Sequence, residues 1–550
     1  MSNEKHSGST KSKYDPKRPI RLVQIVEHIE DETHFFDIEY THLTGELRRV
    51  KISRSQGAGV VQNTLLDAGA RLPPDPKKAI ATALTAQVPM VAVTKRTGWH
   101  GDCFVLPDRT IGDHPQKLAY WDKRGSEPAA TAAGTIKAWK KALRKACAGS
   151  SYLTFAMALG FAGPLIGRLQ RRDGFFFNLA GESSTGKTLA TRAGRSVIGR
   201  ADSTGIHTPS MKDRAIEELA FAHNDTTMFI DDLGLLKGPQ SKKHETLSRY
   251  AYELASGNGM RRSKVVSSEL PNLSWAIVGL TSWEHPLKEL RAQGEQVRLI
   301  DVPVPVRSKG GVFDLVRGAE GPGLRKRLAR LVQTTVDANY GHAFPTFLEH
   351  LIAGGQPLID DLNEIVDNFM RDVRKEGNPL LDRFAEKFGI VLAAALLAAD
   401  ADVAPWTKLQ ATEAVRRVYF DASTKLVTAE DAAKDFLRQL GKRAADKTQF
   451  PWVQPKGAFP GKLKDTAFGF RTALPKVGKV VAIRRSKFME MAGSPARQAA
   501  IMPVLAEQGS LIKGSGNKST MQMRIKGLSQ KRLRYYVLRA DSLPSMGGQD

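Results

Sequence analysis

Eight consecutive residues, Gly181-Glu182-Ser183-Ser184-Thr185-Gly186-Lys187-Thr188, carry the clearest chemistry in this chain. They fit G-x-x-x-x-G-K-[ST], a loop whose main-chain N–H groups cradle phosphates. Gly181 and Gly186 let the backbone turn tightly enough to aim successive amides at anionic oxygens. Lys187 reaches for the β- and γ-phosphates, and the Thr188 hydroxyl is a ligand for Mg²⁺. A helix that starts at Lys187 presents its positive end to the same triphosphate. The expected ligand is ATP with Mg²⁺.

Hydrolysis needs a metal-holding acid and a group that orients water. Thr227-Met228-Phe229-Ile230 is an apolar run that ends in Asp231 and Asp232. Asp231 is placed to hold Mg²⁺ or its water shell, and Asp232 to orient the attacking water; the alternative is an acid pair that caps the next turn. Many motor ATPases have Glu in the second position. The missing methylene shortens reach by roughly 1.5 Å, and misplacement of about 1 Å costs up to two decades in rate. Further on, Thr281-Ser282 closes another apolar run, where a hydroxyl either senses the γ-phosphate or satisfies the strand end. Arg291 and Arg298 stand where an arginine finger would reach a neighbouring subunit's nucleotide, or where a surface salt bridge would form. Between these segments, Gly257 and Gly259 flank a basic stretch with Arg261, Arg262 and Lys264. It reads either as a loop that contacts nucleic-acid phosphates or as a solvated helix cap.

These groups act together only if elements hold them at one edge. Gly174–Leu179 reads as a short buried strand before the loop, and 187–198 as a helix with Leu189, Ala193 and Val197 on one face. Strands over Thr227–Asp231, Leu273–Leu280 and Val297–Val302 alternate with helices at about 212–222, 241–255 and 284–293. Such alternation predicts a mainly parallel sheet flanked by helices, an α/β P-loop core over 149–310. Before it, 21–148 reads as an α+β domain, with Trp99–Asp108 as a hairpin turning at Gly101-Asp102. Residues 1–20 read as a disordered basic arm. Residues 311–445 read as helical, including Arg383–Ala399 and Leu409–Lys425.

The chain has 550 residues and a net charge of +25, which points to polyanionic partners. Residues 451–550 hold 18 Lys and Arg against 5 Asp and Glu, a net of +13. Two helices and then strands at Ser510–Gly516, Met521–Ile525 and Leu533–Leu538 suggest a winged-helix-like DNA-binding domain over 446–550. Lys513 and Lys518 would sit at the tip of the wing; Tyr535 and Tyr536 read as buried strand aromatics. The other reading of this region is a basic structural appendage. Only Cys103 and Cys147 are present, so a disulfide framework is excluded and a reducing cytoplasm is expected. The longest apolar runs, Tyr152–Gly167 and Gly389–Ala399, are too short for a membrane span.

With the phosphate loop, the acid pair and the Thr-Ser strand in order, the chain resembles oligomeric motor ATPases of the AAA+ type. More narrowly, it resembles an uncharacterised bacterial P-loop family of phage, plasmid and genomic-island replication modules, and is similar to MCM-like helicases of cassette elements. The stretches that carry the resemblance are Trp99–Gly112, Leu179–Thr188, Ala215–Gly234, Tyr252–Lys264, Ser274–Val304, Val415–Phe420 and Lys487–Leu538. The resemblance implies an ATP-hydrolysing, ring-forming DNA helicase, in a hexamer on single-stranded or forked DNA. Asp232 departs from the usual Glu of that family. Two other functions stay open: a nucleotide-switched initiator or loader that does not unwind, and a basic scaffold that keeps nucleotide for structure.

Overall fold

The structure, a computed structural model, describes residues 20–115, 118–121, 131–169, 171, 173–202, 205–207, 213–232, 243, 246, 249–250, 253–257, 274–284, 296–318, 321–374, 379–424, 426, 428–454, 467–492, 495–514, 516, 518–523 and 533–544. The basic arm expected over 1–20 lies outside these residues apart from Ile20.

The amino-terminal region is a mixed sheet with two helices on it. Strands β1 (Ile20–His28), β2 (Thr33–Thr41) and β3 (Leu47–Ser53) form an antiparallel meander. Helices α1 (Ala58–Asp67) and α2 (Pro76–Leu84) follow, the second capped by Asp75, whose carboxylate accepts from the Lys78 amide. Strand β4 (Met90–Thr94) returns parallel to β1. Ile20, Leu22, Ile38, Ile52, Val61, Leu65 and Ile80 form the core beneath the helices, as alternation on a one-sided sheet requires. Short strands β5 (Gly98–His100), β6 (Cys103–Val105) and β7 (Thr110–Ile111) make a separate antiparallel sheet, and β8 (Ala119–Tyr120) extends the first one beside β4. The β5–β6 connection is the Gly101-Asp102 turn read from the sequence, with Gly101 at φ 62°.

This second sheet joins the amino-terminal region to the rest. Thr97 Oγ1 donates to Ala222 O at 2.6 Å, Trp99 N to the Asp225 carboxylate at 3.0 Å, and Trp99 Nε1 to Pro164 O at 2.8 Å. Burial pushes the Asp225 carboxyl up to about 6 against these bonds.

The central region begins with helices α3 (Ile136–Ala148), α4 (Ser151–Gly160) and α5 (Gly163–Arg168). Thr135 and Ser150 cap the first two, each accepting an amide from the third helical residue. The apolar run Tyr152–Gly167 is α4 with the start of α5, and every residue of α4 is buried. A helix apolar on all sides belongs inside a core, and this one lies under the sheet. The sheet is β9 (Phe175–Ala180), β10 (Thr227–Ile230), β11 (Val278–Trp283) and β12 (Leu299–Pro303), in the order β10-β11-β9-β12, with every pairing parallel. Between β9 and β10 come helices α6 (Lys187–Arg195) and α7 (Asp213–Ala222). A parallel bridge from His207 to Ile230 adds a residue to the outer side of β10. The parallel-sheet expectation therefore holds, and α7 is the helix expected at about 212–222; the helix expected at about 284–293 lies outside the described residues apart from Glu284, and the one at about 241–255 lies partly outside them. The strand limits move: β10 stops at Ile230, before Asp231; β11 starts at Val278, not Leu273, and runs through Thr281 and Ser282; and β12 spans Leu299–Pro303.

Five helices follow: α8 (Gly321–Ala338), α9 (Ala343–Val373), α10 (Pro379–Asp400), α11 (Lys408–Ser423) and α12 (Ala429–Ala444). The first four share one hydrophobic core with the sheet and with α3 to α5. Phe155, Phe177, Phe388 and Tyr419 stack edge-on or tilted across that junction, with centroids 4.9–5.6 Å apart. Each such ring contributes about 1.5–3 kcal/mol through its burial. Helix α12 packs with the carboxyl-terminal region instead. That region contains β13 (Gly469–Leu474), β14 (Gly478–Arg484), α13 (Arg485–Ala492), α14 (Pro495–Glu507), β15 (Leu511–Ile512), β16 (Met521–Met523) and β17 (Leu533–Arg539). The sheet is antiparallel, in the order β13-β14-β17-β15, with β16 also on β17. The helices and the last strand fall where the sequence reading put them; the strand read over Ser510–Gly516 is only Leu511–Ile512, the strand read over Met521–Ile525 is described as far as Met523, and the β13–β14 hairpin ahead of them was not anticipated. Tyr535 and Tyr536 are buried, as expected of strand aromatics.

Candidate nucleotide site

The site is built at the carboxyl edge of the parallel sheet. Loop 181–186 leaves the end of β9 and α6 starts at Lys187, so the motif has the strand before it and the helix after it that its chemistry requires. Gly186 is the helix N-cap at φ 96°, where a Cβ would meet Val312 Cγ2 at 2.5 Å. A side chain is therefore excluded both by the backbone angle and by the neighbour. Ser184 also has a positive φ, 61°. The loop is propped from behind: Val312 N donates to Thr185 O at 2.9 Å, and Thr185 Oγ1 to Glu182 O at 2.9 Å.

Lys187 is buried and folds back over the loop. Its ammonium donates to Gly181 O and Glu182 O, both at 2.7 Å. Burial pushes its pKa down, while the carboxylates of Glu284, Asp231 and Asp232 push it up, in that order of strength. Thr188, one residue on, is exposed at the first turn of α6. Glu182, Ser183 and Ser184 are exposed along the loop.

The acid strand lies two places away in the sheet, with β11 between it and β9. Asp231 follows the last residue of β10, and the Ser282 hydroxyl of β11 donates to its carboxylate. Asp232, at φ 54°, donates its amide to Ser282 Oγ at 3.3 Å. Ser282 thus ties both acids to the strand beside the phosphate loop. Thr281, the expected sensor, instead points into the sheet. It is buried and donates to Asn178 Oδ1 at 3.1 Å, and Asn178 in turn donates to Asp301 Oδ1 at 2.8 Å. Thr281, Asn178 and Asp301 are level in the register, so they make a satisfied polar row across three strands. Period-two alternation puts Thr281 on one face and Ser282 on the other, so the hydroxyl that meets the acids is that of Ser282.

Arg298 sits at the opposite edge. It precedes β12, level with the start of β9, six residues or roughly 20 Å from Gly181. At that distance it does not reach the loop of its own chain. Arg291 lies outside the described residues, as do Arg261, Arg262 and Lys264. Lys513 and Lys518 are both exposed, and Gly514 N donates to Lys518 O at 2.7 Å, which draws the two lysines to one turn.

Beside β10, the half-buried His207 and the buried His223 meet with Nε2 atoms 3.3 Å apart. His223 Nδ1 donates to Leu219 O at 2.9 Å, so its neutral ring accepts from His207 on the other side. Burial pushes His207 down to about 4 and His223 well below its ordinary value. The pair is coupled to the site because His207 O accepts the Asp231 amide at 3.0 Å.

The donor set fits a magnesium–triphosphate. Thr188 and Asp231 would hold the metal, with phosphate oxygens and water completing its shell, and the metal would neutralise charge on the phosphates. Among the described residues no cluster of three or more His, Cys, Asp or Glu could hold a metal alone. Sequence reasoning missed Ser282's role, the His207–His223 pair and Glu284. Alternation along β11 was the available signal for Ser282; the other two gave none.

A family described as a domain of unknown function (DUF927) matches residues 2–269. No curated protein matches the chain. Among solved structures, the chain is similar to one described as "SCCmec type IV Cch - active helicase", with a TM-score of 0.68 and 16% identity over 96% of this chain and 95% of that one. The two share a fold along nearly their whole lengths.

Two outcomes are expected from this geometry. Lys187→Ala should keep the circular-dichroism spectrum and lose nucleotide binding by at least about tenfold, read by titration of a fluorescent ATP analogue. In the unfolded chain both imidazoles take up protons below about pH 6.5, whereas in the fold His207 stays neutral down to about 4. The unfolded state binds more protons across that window, so stability should fall as pH drops through it. Asp225, raised by burial, acts with the opposite sign. Denaturation midpoints for the parent and His207→Gln should therefore be compared, and the variant's fall should be smaller.

Proposed function

We propose that the chain is an ATP-driven DNA motor, a ring-forming AAA+-type helicase of a replication module, which hydrolyses ATP to translocate on and unwind DNA. The observation that carries this is the convergence of Lys187, Thr188, Asp231 and Ser282 on one edge of a parallel sheet, with one strand between the phosphate loop and the acid. A nucleotide-binding loop without the second strand would only hold its ligand; this edge has both halves. The nucleotide is ATP with Mg²⁺, gripped by loop amides 181–186 and Lys187. Asp231 holds the metal, and Asp232 is the second acid beside it.

DNA is the partner that the charge distribution favours. The carboxyl-terminal region carries a net +13 over residues 451–550, with Lys513 and Lys518 exposed on one turn. Its helices on an antiparallel sheet suit a winged-helix-like reader of the duplex. Arg298, too far from its own loop, suits a finger that acts across a subunit interface in a hexamer, with Arg291 as the other candidate. The Arg261, Arg262 and Lys264 segment would face single-stranded DNA in the channel. The similar solved structure is described as an active helicase, which supports the reading. No helix among the described residues is long and apolar enough to cross a membrane.

One observation favours a second reading, a nucleotide-switched initiator or loader. Asp232 is a methylene shorter than the acid usual in fast motors. Forked-duplex displacement with ATP and Mg²⁺ separates the two. Strand displacement that disappears in Lys187→Ala is the expected result; DNA-stimulated hydrolysis without displacement selects the loader, and no hydrolysis at all removes both. Removing residues 451–550 should weaken DNA affinity and flatten its salt dependence, each lost phosphate contact reducing the slope by about 0.9. Unchanged affinity across several salt concentrations would exclude a DNA-binding role for that region.

A further inference from the structure

The site contains a third carboxylate, Glu284, that no motif marks. It follows β11 directly, two residues after Ser282, and is exposed. Its position is set by the main chain. Gly181 N donates to Trp283 O at 3.2 Å, so the first residue of the phosphate loop is hydrogen-bonded to the residue just before Glu284. Glu284 lies one residue past the end of β11, where the chain bends away from the strand. Ser282 contacts Asp231, and Glu284 lies a step further out towards solvent.

We propose that Glu284 supplies the carboxylate that orients the attacking water and accepts its proton, in place of the glutamate absent at position 232. The inference rests on the ATPase reading above.

Three observations support it. Lys187 is the residue whose ammonium meets the γ-phosphate in such a loop, and its ammonium sits on Gly181 O and Glu182 O, against the end of β11. Glu284 directly follows Trp283, whose carbonyl accepts the Gly181 amide at 3.2 Å, so it stands beside the loop residue that holds that ammonium. Asp232 has the shorter arm, on a backbone at φ 54° whose amide is spent on Ser282. Glu284 has one more methylene and stands in solvent, where water is at hand.

In the proposed step, a lone pair of the water oxygen forms the new bond to the γ-phosphorus. The bond from that phosphorus to the β–γ bridging oxygen breaks, and its electron pair leaves with ADP. The proton lost by the water passes to the Glu284 carboxylate and then to phosphate or solvent. Positioned proton acceptors of this kind contribute about 10²–10⁴-fold.

The test compares ATP turnover of the full chain, Glu284→Gln, Glu284→Asp and Asp232→Asn, with binding of a fluorescent ATP analogue measured beside each. Glu284→Gln should lose about 100-fold or more in kcat while its nucleotide Kd stays within about threefold of the parent. Glu284→Asp should recover part of the turnover, and Asp232→Asn should lose less than Glu284→Gln. A Glu284→Gln chain with at least half the parent's turnover overturns the assignment and leaves the ATPase reading standing. So does a Glu284→Gln chain that loses binding and turnover together, which would make Glu284 a support for the loop. A parent chain that turns over no ATP overturns both.

Discussion

The main-chain pairing of β9 with β11 and β12 is the constraint on which the site depends. Each strand of this sheet runs the same way, so every carboxyl end opens on one edge. Register then decides which residues meet. Ser282 is level with Leu179 and Trp283 with Ala180, so the end of β11 emerges beside the phosphate loop. A slip of one residue would turn Ser282 into the sheet and bring Thr281 out. The buried row Asn178, Thr281 and Asp301 resists that slip, because each polar group would lose its partner in a place without water.

The loop itself is held from both sides. Val312 packs where a side chain on Gly186 would go, and its amide bonds Thr185 O. Behind the sheet, α4 and the helices after β12 close one core through Phe155, Phe177, Phe388 and Tyr419. The helical segment therefore supports the nucleotide edge directly. At the opposite edge, Thr97, Trp99 and Asp225 fasten the amino-terminal region, so the two ends of the parallel strands have separate tasks.

Electrostatics at the edge are balanced around one cation. The Lys187 ammonium donates to two loop carbonyls and is offset by three acids. A triphosphate would compete for that ammonium with the carbonyls, exchanging neutral acceptors for charged ones, which make stronger hydrogen bonds. The neutral pair His207 and His223 beside β10 adds no charge of its own, so the acids set the local field.

The tight loop at 181–186 was legible in the sequence because its glycines and lysine stand at fixed spacing, and because the strand before it and the helix after it show in local pattern. Asp231 was legible for the same reason, an apolar run that ends in acid. The parallel sheet followed from alternation of elements, and the carboxyl-terminal helices and strands from periodicity. What the sequence could not decide is everything set by register or by distant packing. Whether Thr281 or Ser282 faces the acid depends on which side of β11 is turned inward. Arg298 lies near the last strand in sequence, yet parallel direction puts it at the edge away from loop 181–186. That α8 to α11 share the sheet's core, and that α12 does not, depends on contacts between residues hundreds of positions apart. Glu284 has no motif; only the bond from Gly181 to Trp283 brings it to the loop. Local chemistry is written in neighbouring residues, but the meeting of strands is a hydrogen-bonding choice made by the whole fold.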